Sequence, residues 1–98
     1  MAVEVVWLDE AKDDLRALLD HIATENPPAA ERYVAGIADA CRRLEAFPLS
    51  GRRYDDRYRC IVFRNHLVFY RFDEAGQQVL IATVLDGRRD IAGILDDR

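Results

Sequence analysis

Residues 51–71 hold six arginines, Arg52, Arg53, Arg57, Arg59, Arg64 and Arg71, against two carboxylates, Asp55 and Asp56. Guanidinium forks match both carboxylate and phosphate oxygens, so the stretch reads as a surface for an acidic partner or a phosphate. A second basic group, Gly87-Arg88-Arg89-Asp90, follows the last strand-like run. Loops leaving strand ends commonly carry working residues; the plainer reading is a turn with surface Arg–Asp pairing, which contributes little. Tyr54, Tyr58, Tyr70 and His66 are the nearby side chains able to move a proton. Cleaving RNA would take a base for the 2′-hydroxyl, a proton donor for the leaving oxygen and cations on the phosphate. Arginines supply only the last of these. Tyrosine and arginine titrate at about 10 or above, so a base must be sought elsewhere. His66 reads as an exposed histidine beside a turn, and Asp86 as a strand-end cap or ion-pair partner.

Other chemistries find little support. Cys41 and Cys60 match no metal spacing and read as small buried apolar residues. His21 and His66 lie far apart in the chain, and His21 reads as partly exposed. No metal site or cofactor is expected. No glycine-rich phosphate loop and no Ser/His/Asp arrangement stands out. The net charge of −4 argues against general nucleic-acid binding. Charge is unevenly spread: residues 1–50 carry five basic and ten acidic side chains. No run of ~18 apolar residues is present, and the first residues lack the basic and apolar regions of a signal peptide. A cytoplasmic protein of one domain, residues 1–98, is expected.

The elements that must position these residues follow from periodicity. His66 to Phe72 is the most strand-like run, rich in β-branched and aromatic residues, and reads as the central strand. Val3 to Trp7 reads as a first strand. Asp9 and Glu10 suit the first turn of a helix, and Leu8, Ala11, Leu15, Leu18 or Leu19, and Ile22 form one apolar stripe. Asp13, Asp14, Arg16 and Asp20 lie off that stripe and should face water. Asn26-Pro27-Pro28 ends this helix near Glu25 and opens a second, with Asn26 as N-cap. Ala30, Val34, Ile37, Cys41 and Leu44 line one side of that helix, and Phe47-Pro48 closes it.

Leu49 to Asp56 reads as a loop. Arg57 to Phe63 reads as a strand with Arg57 and Arg59 on one face. Arg64-Asn65 turns the chain, with Asn65 suited to positive φ. Asp73 to Gly76 makes the next turn, with Gly76 as the permissive residue. Val79 to Leu85 is the last strand, and Ile91 to Leu95 a short helix or apolar hook. The expected fold is α+β in two layers: an antiparallel sheet packed against an N-terminal helical hairpin, in the order β-α-α-β-β-β. The hairpin covers one face, and arginines occupy the other.

In order and spacing these pieces resemble the RelE/ParE superfamily of bacterial toxins from type II toxin–antitoxin operons. The resemblance spans nearly the whole chain. It is carried by Trp7, Ala11 and Asp14-Leu15, by Asn26-Pro27 and Ala29-Ala30, by Leu44, Phe47-Pro48 and Gly51, and by the Arg59 strand. It continues through Leu67 to Arg71 and is strongest over Val84-Leu85-Asp86-Gly87-Arg88-Arg89-Asp90.

The resemblance implies a toxin neutralised by a cognate antitoxin whose disordered tail folds over it, in a hetero-oligomer that represses its own operon. DNA would then be contacted only through the antitoxin. It implies Arg57, Arg59, Arg64, Tyr70, Arg71, Arg88 and Arg89 as partner-binding residues. RelE-like members cut mRNA on the ribosome, whereas ParE-like members block DNA gyrase. This chain departs from the RelE pattern. Its second half has no lysine, Asp86 stands where a histidine is common, and His66 where a tyrosine is common. The expectation is therefore a ParE-like gyrase inhibitor with no catalytic residues of its own. The alternative is an endoribonuclease using Arg59, Arg71, Arg88 and His66. A third is a non-toxic module that only binds its antitoxin.

Overall fold

The computed structural model describes residues 3–97. The chain runs β1 (Glu4–Trp7), α1 (Asp9–Ala23), α2 (Pro27–Arg42), a 3₁₀ turn (Arg43–Glu45), β2 (Arg52–Arg53), β3 (Arg59–Phe63), β4 (His66–Asp73), β5 (Gln78–Asp86) and α3 (Ile91–Asp96). The sheet order is β1-β5-β4-β3-β2. The antiparallel meander β3-β4-β5 and the helical hairpin stand as read from the periodicity. Asn26 caps α2, its side-chain oxygen accepting from the Ala29 N–H at 3.1 Å, and Pro27 takes the first helical position, where its missing N–H has no cost.

Two strand relations were outside the reach of periodicity. β1 joins the sheet at its edge, parallel to β5, with Glu4 opposite Gln78 and Trp7 opposite Ile81. The expected loop over 49–56 contains β2, which pairs Arg52 with Cys60 and Arg53 with Arg59.

The hairpin and the sheet enclose one core. Ala11, Ile37, Cys41 and Leu44 come from the helical side, and Val68, Tyr70, Val79, Ile81 and Val84 from the sheet. β4 and β5 slip register between Phe69 and Tyr70: Phe69 faces Thr83 and Tyr70 faces Ile81, so Ala82 is the extra residue of a bulge. The slip changes the phase of β5. Val79, Ile81 and Val84 thereby meet the hairpin, while Ala82 and Leu85 turn to the opposite face.

That opposite face is not the arginine surface expected. It holds a second core of Tyr58, Cys60, Phe69, Ala82, Leu85 and Leu95, with Ile91 and Ile94 packed against it. The segment after β5 is a helix, α3, and it covers this face.

Several local expectations change with the register. Strand β3 begins at Arg59, because residues 55–57 bend around the Asp55 side chain, which accepts the N–H groups of Arg57 and Tyr58 at 2.8 Å each. Arg64, not Asn65, takes positive φ (53°), and Gln77, not Gly76, does so in the next turn (50°). Gly76 serves there by closeness: a Cβ would lie 2.5 Å from Asp73 Oδ2. Asp14 is half-buried rather than fully turned to water. Its carboxylate accepts the Thr83 hydroxyl at 2.6 Å and the Val84 N–H at 2.9 Å, beyond the last β1–β5 pair, where the edge of β5 has no strand neighbour among the described residues.

Candidate functional site

The arginines separate into two groups at opposite ends of β3 and β4. At the first end, Arg59 faces the same side as its pair Tyr70. Arg59 Nη1 donates to the carbonyls of Gly51 (2.9 Å) and Leu49 (3.3 Å). Arg57 instead reaches Asp55 (3.4 Å) and Asp96 of α3 (3.2 Å), so the two do not share a strand face. Arg53 pairs with Asp56 at 2.9 Å. Arg71 is exposed and has no ion-pair partner among the described residues. Arg53, Arg57, Arg59 and Arg71 all line one open cleft of about 280 Å³.

Tyr70, expected as a partner-binding residue, is fully buried. Its hydroxyl donates to the Pro48 carbonyl (2.8 Å) and accepts the Gly51 N–H (2.9 Å). It thus pins the loop that Arg59 also holds. Burial pushes the phenol above its usual pKa.

At the second end, His66 opens β4 opposite Asp86. It is half-buried rather than exposed, and its Nδ1 lies 2.8 Å from the Tyr33 hydroxyl. Burial pushes the imidazole below its ordinary value, with Asp86 opposing and Arg88 assisting. Asp86 accepts from the Arg88 guanidinium at 3.1 and 3.2 Å and from the Arg88 N–H at 2.9 Å. These bonds bring its carboxyl down to about 2. Arg64 lies over the rings of Phe63 and Tyr33, 5.6 and 5.9 Å from their centroids. Such contacts hold a guanidinium without neutralising it. Arg89 is exposed, and Asp90 is spent on capping α3.

The strand-end groups are therefore engaged with one another: Asp86 with Arg88, and His66 with Tyr33. Tyr33 was not legible as a site residue, since its partner lies 33 positions away. Arg59 and Arg71 do not join His66 and Arg88. His66 and Arg71 are five residues apart on one strand, roughly 17 Å at the usual rise. Among the described residues no cluster of three His, Cys, Asp or Glu side chains is arranged to hold a metal ion, and no helix is long and apolar enough to cross a membrane.

Residues 5–91 match the sequence profile described as "ParE toxin of type II toxin-antitoxin system, parDE". The chain belongs to the ParE toxin family. It is the toxin of a type II toxin–antitoxin system, within the wider RelE/ParE superfamily. No curated protein sequence matches it. Among solved structures it is similar to the chromosomal ParDE system of P. aeruginosa: TM-score 0.75, 21% identity, 86% of this chain and 95% of the other covered. It is also similar to the RelBE2 toxin–antitoxin complex of Mycobacterium tuberculosis, with TM-score 0.68, 21% identity and 88% and 99% coverage. A mutant of the E. coli toxin RelE in the free state follows, with TM-score 0.66, 13% identity and 96% and 93% coverage. At these identities the structural likeness speaks to the fold, and the fold is common to ParE and RelE proteins.

Proposed function

We propose that this ParE-family toxin acts by binding DNA gyrase and so blocks replication, and that a cognate antitoxin holds it in check. The observation that carries the gyrase reading is the internal pairing at the end of β5. Asp86 is taken up by Arg88 and His66 by Tyr33, which suits a surface used for binding. The ribonuclease alternative draws on Arg59, Arg71, Arg88 and His66, and these do not converge on one site. The ParE match over residues 5–91 supports the same reading.

An antitoxin partner accords with the solved relatives, one a ParDE system and one a RelBE2 toxin–antitoxin complex. Exposed arginines at both ends of the meander suit an acidic tail that orders on binding. Arg57, Arg59, Arg64, Arg71, Arg88 and Arg89 are its proposed contacts, with Tyr70 shaping the loop beside them. Action on gyrase places the protein in the cytoplasm.

Inducing this chain alone in a bacterium, with pulse labelling of DNA and protein, tests the target. DNA synthesis is expected to fall within minutes while translation continues, and the purified chain to inhibit gyrase supercoiling. Early loss of translation would overturn the gyrase reading, and normal growth would support the non-toxic module.

A further inference from the structure

His66 and Asp86 are directly opposed in the β4–β5 ladder. The next pair carries a ladder bond, the Gly87 N–H donating to the Asn65 carbonyl at 2.9 Å, so in the antiparallel alternation His66 and Asp86 form a pair without one. Such pairs hold their side chains close and on one face, with Cβ atoms about 4.5–5.5 Å apart. Both side chains line a cavity of about 200 Å³ that Asp14 and His21 of α1 and Arg89 also line.

Each of the two is bonded to a different partner. Tyr33 of α2 meets His66 Nδ1, and its hydroxyl can donate to a bare nitrogen or accept from a protonated one. His66 Nε2 has no hydrogen bond among the described residues. Asp86 holds Arg88, whose side chain is 90% exposed against 26% for Asp86. Surface ion pairs contribute little and are weakened by water and salt. A half-buried imidazolium against the same carboxylate is screened less. The other charged or titratable groups around His66 are Arg64, over the Tyr33 ring, Asp14, bonded to Thr83 and Val84, and His21 and Arg89, both exposed.

We infer that Asp86 is a two-position switch: with His66 neutral it holds Arg88, and when His66 takes up a proton it turns to His66 and releases Arg88 to solvent. The proton comes from water and no covalent bond changes. The charged ring carries an N–H on both nitrogens; Nδ1–H stays with Tyr33, and Nε2–H donates to the Asp86 carboxylate. Burial keeps the imidazole below its ordinary value, with Asp86 opposing and Arg88 assisting. The exchange therefore falls on the acid side of about pH 6.5, and Arg88 is held at neutral pH. The inference is independent of the toxin's target: it makes the free guanidiniums at the end of β5 a function of acidity.

The test is an NMR titration of the isotope-labelled full chain from about pH 7.5 to about 5, a span in which Asp86, at about 2, stays charged. The ring nitrogens of His66 and the Arg88 Nε–Hε group are followed. The Arg88 signal is expected to lose its hydrogen-bonded shift with the same midpoint as His66, below the ordinary histidine value. His66→Gln should keep Arg88 bonded across the whole span, and His21→Gln should leave the Arg88 transition in place. An Arg88 signal that stays flat through the His66 transition would overturn the inference, as would one that still moves in His66→Gln or follows His21. Arg88→Gln, at an exposed side chain, keeps the test decisive should His66→Gln fail to fold. It should raise the His66 midpoint, and an unmoved midpoint would also overturn the inference. Neither gyrase nor the antitoxin enters this assay, so its failure is distinguishable from failure of the gyrase or antitoxin reading.

Discussion

Tyr70 is the residue on which the first end of the sheet depends. Its hydroxyl satisfies the buried Gly51 N–H and the Pro48 carbonyl at once, and its ring fills the space a side chain at Gly51 would need: a Cβ there would sit 2.6 Å from Tyr70 Cε1. Tyr70→Phe keeps the ring and strands the Gly51 donor. The expected loss is about 1–3 kcal/mol, read as a lower urea midpoint with unchanged m. Asp86 gives a second prediction. Its folded pKa, about 2, lies below the value of about 3.9 for an unfolded aspartate. The Arg88 bonds therefore stabilise the fold fully above about pH 4, and that contribution is lost as pH falls toward 2. Acid-unfolding curves of Asp86→Asn and the parent chain should separate above pH 4 and converge near 2. Single residues were legible unevenly. Cys41 and Cys60 are buried as their type suggested, and Asp86 is the ion-pair partner that strand-end aspartates often are. Asp14 is not legible in this way, because helical spacing places it off the apolar stripe while its partners lie 69 and 70 residues away.

Among the elements, α1 and α2 were legible from three-four spacing and the Asn26-Pro27 junction, and the meander from its alternating runs and short turns. β2 was not, since two arginines carry no alternation. Nor was the β1–β5 pairing, which joins residues 74 apart in register. For α3 the sequence leaves a short helix and an apolar hook equally open. Six residues do not make a stable helix alone. The element exists because Asp90 accepts the Gly93 N–H at 3.3 Å and Leu95 enters the second core. Leu95 is 1% exposed, so Leu95→Ala should cost about 2–4 kcal/mol by the usual transfer and cavity terms, measured by chemical denaturation. A change below about 0.5 kcal/mol would show that α3 contributes little to holding the fold.

At the scale of the molecule, the fold class was legible but the placement of charge was not. Which strand faces coincide is set by register, and a one-residue slip reverses a face. Here β3 starts two residues late, the β5 bulge shifts phase, and α3 occupies the face where arginines were expected. The guanidiniums are displaced to the two ends of the sheet as a result. The same division leaves one thiol on each side: Cys41 of α2 in the core beneath the hairpin, and Cys60 of β3 in the core beneath α3. Burial pushes both thiols up, Cys41 to about 12, so neither is reactive while its side stays closed. The molecule thus carries two internal clocks. The labelling rate of Cys41 times the lifting of the helical hairpin and that of Cys60 the lifting of the terminal helix, so a partner that clamps only one side slows only one of them.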